Sequence, residues 1–137
     1  MIKGFEDAFM DKQSDYISLC LELVKNDVDV VYGWIYQTPG MITFGAFFKK
    51  NGNIVEMEDL VSDEMIDSFY DVGYGDVKKI YDVCKEYEHK CPNMIKMIYN
   101  VKTKKYDANY TYFDDKQIEE INPDNLFDEW VDEESNK

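Results

Sequence analysis

The chain contains no arginine: all fifteen of its basic residues are lysine, and they face twenty-nine acidic residues for a formal net charge of −14 at pH 7. Without the rigid guanidinium fork, the usual means of clamping phosphates and reading base edges is missing. The net field repels nucleic acid, anionic lipid and phosphate substrates and attracts basic proteins. Direct nucleic-acid binding, membrane binding and phosphoryl transfer are therefore not expected. Histidine is almost absent too. His89 is the only one, in the last turn of a predicted helix, where it complements the negative helix end rather than serving as a catalytic base. Cys20, Cys84 and Cys91 are odd in number and lack Cys-x-x-Cys spacing. That excludes a disulfide framework and predicts reduced, partly buried thiols. Cys84, His89 and Cys91 lack a fourth ligand at suitable spacing, so no metal site is expected. No stretch approaches the ~20 apolar residues of a membrane span. The start "MIKGFEDAFMDKQSDY" places acids where a signal peptide has a basic start and an apolar run, so a cytoplasmic location is expected. A glycine-rich phosphate loop, a Gly-x-Ser-x-Gly elbow and a His-Glu-x-x-His helix are all missing, so neither catalysis nor a cofactor is expected.

What is present suits one compact domain. The chain has 137 residues, of which 45% are hydrophobic and 15% aromatic, enough for a single core and too few for two. The domain is expected to span 1–134, with 135–137 as a disordered tail. Phe9, Tyr16, Ile17, Cys20, Leu23 and Val24 recur at helical spacing and predict a first helix ending near Asn26. "VDVVYGWIYQ" and "MITFGAFFKK" alternate across Thr38-Pro39-Gly40 and read as an antiparallel hairpin. Asn51-Gly52 then marks a tight turn into "IVEMEDL", a short third strand. Ser62, followed by Asp63 and Glu64, starts a long helix. Its stripe from Ile66 to Tyr87 keeps phase across Gly73-Tyr74-Gly75, which leaves open one weakened helix or two. Pro92 ends it. "NMIKMIYNV" and "YDANYTYF" form a second hairpin, and Asn122-Pro123 opens a short C-terminal helix offering Leu126, Phe127 and Trp130 for docking. The fold class expected is α+β: an antiparallel sheet of about five strands, from two hairpins and a short strand, packed on the first and the long helix.

Two features direct attention to binding. On the last strand Asp107, Asn109 and Thr111 share one face and cannot be core, which predicts a sheet face open to water or a partner. Beyond it, Asp114, Asp115, Glu119, Glu120, Asp124, Asp128, Glu129 and Asp132, with Glu133 and Glu134, face only Lys116 and Lys137 in the same stretch. Self-repulsion of this kind destabilises a free fold, and a basic surface would relieve it. Tyr110, Tyr112 and Trp130 are the aromatic anchors expected within that surface. A divalent-metal enzyme built on the clustered carboxylates is a weaker alternative, since paired acids are the background of so acidic a chain. A second alternative is an acidic adaptor or structural domain whose charge serves solubility.

The order "VDVVYGWIY", "FFKKNGNIVEMEDL", a long helix ending before "CPNMIKMIYNV", and the aromatic, acidic "YDANYTYFDD" resembles the YezG-type immunity proteins of bacterial polymorphic toxin systems over nearly the whole chain. Asn93-Met94 stand where the family often has a tryptophan after the proline, and the ending over 122–134 differs. The resemblance implies a cytoplasmic antidote, otherwise monomeric, that forms a one-to-one complex with a toxin domain, expected to be a basic nuclease, and blocks its active site. Charge chemistry agrees: a nuclease presents cationic side chains to phosphates, and an acidic protein can occupy that surface with electrostatically steered association.

Overall fold

The structure is a computed structural model and describes residues 4–137. The elements run α1 (Phe5–Leu23), β1 (Val30–Thr38), β2 (Met41–Lys50), β3 (Asn53–Glu56), α2 (Met57–Leu60), α3 (Asp63–Glu86), β4 (Met94–Asn100), β5 (Tyr106–Thr111), α4 (Asp115–Glu120) and α5 (Pro123–Ser135). The strands make one antiparallel sheet of order β3-β2-β1-β4-β5. This is the α+β fold expected from the sequence, with the N-terminal, long central and short C-terminal helices in place.

Alternation along the strands divides the core in two. Val31, Ile35, Phe44, Ala46, Phe48, Ile95 and Met97 pack against α1 and α3, through Tyr16, Ile17, Cys20, Phe69, Val77 and Ile80. Tyr32, Trp34, Tyr36, Phe47 and Met94 face the other way and pack against α5. The sheet face expected to be open is therefore covered over its central strands. Trp130 is only 4% exposed, with its ring centroid 5.0 Å from Phe47 and 5.7 Å from Tyr32. Phe127 lies over Gly45, where a Cβ would come within 3.2 Å of its ring. The continuous apolar run "VVYGWIY" is a strand buried on both faces, which one-sided alternation could not express.

Local chemistry sets the boundaries. Asn51 and Gly52 take φ of 54° and 82°, the geometry of a two-residue hairpin turn. "IVEMEDL" is strand only as far as Glu56. Glu56 and Asp59 cap each other's backbone, so Met57–Leu60 turns into a helix and the expected strand is cut short. The Ser62 hydroxyl accepts from Met65 N at 3.3 Å, and α3 then runs unbroken through Gly73-Tyr74-Gly75, which closes the question left by the sequence. Asp114 and Gln117 form a second reciprocal cap that opens α4, a helix the sequence reading lacked. Residues 135–137, expected as a disordered tail, lie at the end of α5: the helix reaches Ser135, and Lys137 Nζ sits 2.6 Å from Glu134 Oε2.

Buried polar groups tie the layers together. Gln13, fully buried on α1, accepts from Tyr106 Oη and donates to Tyr110 Oη at 2.9 Å, joining α1 to β5. Tyr16 Oη donates to Gly45 O at 2.6 Å. Gln37 Nε2 donates to Pro92 O at 2.6 Å, and Asn93 bridges Gln37 O and Phe113 N. These bonds hold the β4 entry; α3 itself has already closed at Glu86, where Glu88 takes φ of 51° and His89 N donates to Cys84 O at 2.8 Å, so the helix ends before Pro92 is reached.

Candidate functional site

β2 is ten residues long and β3 only four, so β3 pairs with Phe47–Lys50, and among the described residues no strand pairs with Met41–Ala46 on that side. A cleft of about 500 Å³ lies at this uncovered part of the edge. Its floor is Thr43, Phe44 and Gly45 of β2 with Trp34 of β1, and its walls are Tyr70 of α3 on one side and Asp124, Phe127 and Asp128 of α5 on the other. Because α3 and α5 lie on opposite faces of the sheet, the cleft opens edge-on between them. Trp34 is 2% exposed, and its Nε1–H has no hydrogen-bond partner among the described residues. Tyr70 is 41% exposed.

The electrostatics of the cleft come from two acidic segments distant in sequence, α5 and the turn from β3 into α2. Asp124, Asp128 and Asp132 recur every four residues and follow one flank of α5. The Glu56 carboxyl is pushed above its ordinary range, chiefly by burial and then by repulsion from Glu58, Asp59, Asp128 and Asp132. Burial first, and Glu58 next, likewise raise the Tyr70 hydroxyl. The turn from β3 into α2 thus brings Glu56, with Glu58 and Asp59 next to it, near Asp128 and Asp132 of α5, and among the described residues no lysine lines the cleft. The sequence reading placed no weight on these three acids. They fell within "IVEMEDL", expected to be strand throughout, and the reciprocal cap of Glu56 and Asp59 emerges only in the structure.

The remaining residues expected in a binding surface do not join this cluster. Asp107 and Asn109 line a separate cleft with Lys96, Glu133, Glu134 and Lys137, where two lysines partly offset three acids. Lys96 Nζ also lies 5.4 Å from the Trp130 ring. Trp130 is buried and anchors α5 to its own sheet, so the expectation that it contacts a partner is corrected: its indole completes the second core. Tyr110 is 38% exposed but packs on Phe9 and bonds to Gln13. Tyr112 is 44% exposed, with Lys90 Nζ 5.6 Å from its ring. Asp114 is occupied as the cap of α4, while Asp115, Glu119 and Glu120 are exposed on that helix. Glu129 is exposed on α5, rotated away from the flank of Asp124, Asp128 and Asp132.

The reactive side chains gather nowhere into a second site. Cys84 and Cys91 share a thiol hydrogen bond that holds the Cys84 thiol below its usual range and, with burial, pushes Cys91 up. Both are free thiols, as is buried Cys20. His89 is exposed and stacks on Phe5 at 4.0 Å. Among the described residues no group of three or more His, Cys, Asp and Glu side chains is placed to hold a metal ion, and no helix is long and apolar enough to cross a membrane. No family model matches the chain, and a search of curated proteins finds no match.

Proposed function

We propose that this protein is a stoichiometric binder that neutralises a basic partner, acting as an immunity protein against a cognate toxin, and that the partner is a nuclease whose cationic active-site surface it covers. The observation that carries this reading is an aromatic cleft walled by Asp124 and Asp128, which no lysine among the described residues lines, with Glu56 close enough to the α5 flank to be raised by Asp128 and Asp132. A fold tolerates such mutual repulsion at a cost, and a partner's lysines and arginines would remove that cost on binding. The resemblance to YezG-type immunity proteins points the same way. The mechanism is occlusion without turnover: the acids steer a basic surface in, and exposed Tyr70 supplies close contact.

The test is co-purification with the C-terminal domain encoded by the gene's upstream neighbour, followed by assay of that domain's nuclease activity alone and in complex. A one-to-one complex that silences the nuclease, weakened by D124K/D128K/D132K and by raised salt, is the expected result. Failure of the two to associate removes that neighbour as the target. Association indifferent to both salt and the triple reversal removes the acidic surface as its means.

A further inference from the structure

The uncovered half of the β2 edge has its own chemistry. Lys50 and Asn53 flank the two-residue turn at Asn51-Gly52, so Lys50 directs its backbone N–H and C=O toward β3. Bonding direction alternates along a strand. Phe48 therefore also faces β3, and Ala46, Phe44 and Ile42 present their N–H and C=O groups on the same side, beyond the point where β3 ends. Their ladder to β1, from Val30↔Lys49 to Thr38↔Met41, is complete on the other side. The reciprocal cap of Glu56 and Asp59 turns the chain into α2 and carries it off this edge.

We propose that this edge is a strand-addition site, and that its occupant is an extended segment of a basic partner whose residues alternate lysine or arginine with apolar side chains. The alternation follows from the two walls. An added strand points successive side chains to opposite faces. On the α5 face they meet Asp124 and Asp128; on the α3 face they meet Phe44 and Tyr70. Backbone bonds to Ile42 and Phe44 supply affinity, and the walls supply selection. The other free edge, on β5, offers backbone groups of the same kind, but the cleft beside it sets Lys96 and Lys137 among Asp107, Glu133 and Glu134, whereas the β2 cleft is lined by Asp124 and Asp128 with no lysine among the described residues. The proposal rests on the reading of the protein as a binder of a basic partner and makes the mode of contact specific.

The experiment uses the full chain with assigned amide resonances and, as probe, a capped peptide alternating lysine and valine, long enough to span Met41–Ala46. Slowed hydrogen exchange at Ile42 and Phe44, with shift changes over Thr43–Gly45 and at Asp128, is expected. So is loss of binding when every peptide amide is N-methylated, and weakening by about tenfold in D124K/D128K. A peptide of the same composition in separate lysine and valine blocks should bind no better than the methylated one. I42P removes an outward-facing donor and spares the β1 ladder; if it does not fold, the methylated peptide carries the same test. Equal binding of the methylated peptide, slowing at β5 instead, or no slowing at all overturns the proposal. A toxin domain silenced equally by wild type and folded I42P, yet released by D124K/D128K, overturns the added strand and leaves the neutralising function standing. A peptide that pairs with this edge while no toxin domain binds does the reverse.

Discussion

Two glycines in one helix have opposite surroundings. At Gly73 a Cβ would lie 2.7 Å from Phe44 Cε2, and that ring is held by Tyr16, Phe69 and Tyr70. At Gly75 nothing lies within 4 Å. G73A should therefore destabilise the fold by about 1–3 kcal/mol through overpacking, and G75A should stabilise it by about 0.5–1 kcal/mol through helix propensity; urea titration of both variants measures the difference in sign. Glu56 gives a pH prediction of similar specificity. Its pKa is raised in the folded state, by burial and then by acidic neighbours, so between its ordinary and its raised value the native state holds more of the proton than the unfolded state does. Stability from this group then falls as pH rises through that window and is regained on acidification. E56Q keeps an acceptor for the helix cap and removes the charge. Its melting temperature should exceed the wild type's at neutral pH, and the gap should close toward pH 4 in parallel thermal scans.

Among elements, α5 has two roles that its sequence shows only as a mixture. One side buries Trp130 and packs Phe127 over Gly45, and the flank beside it sets Asp124 and Asp128 at the cleft. W130A should cost about 3–5 kcal/mol, read by denaturant unfolding, and it should weaken partner binding only by loosening the helix. Ending the chain before Asn122 would uncover Tyr32, Trp34, Tyr36 and Phe47 together; strong binding of a hydrophobic dye and loss of a cooperative melt are the expected outcomes. The β2 and β3 pair illustrates the same economy, because the cap that starts α2 is also what leaves the β2 edge uncovered.

For the molecule as a whole, the charge of −14 couples stability to association with opposite signs. Added sodium chloride screens the repulsion among exposed acids, so the free protein's melting temperature should rise with salt through the low ionic-strength range. The association rate with a basic partner should fall over the same range, a comparison that calorimetry and stopped-flow mixing supply on one preparation. Much of the architecture was readable beforehand. The apolar periods of Phe9–Val24 and Ile66–Tyr87, the Asn51-Gly52 turn, and the Ser62 and Asn122 caps act over a few residues and need no tertiary partner. The site was read in part, since Asp124, Asp128 and Asp132 stood out as acids while Glu56, Glu58 and Asp59 did not.

Composition and short-range pattern alone determined the α+β order, the lack of arginine, the acidic character and most helix starts, because charge sums and capping are properties of neighbouring residues. Only the tertiary structure decided that α5 covers the second sheet face, that Trp130 belongs to the core, and that Glu56 and Asp128, far apart in sequence, repel one another. Those facts depend on which face an amphipathic helix finds uncovered. They also depend on where β3 ends against β2, and no window along the chain contains both partners.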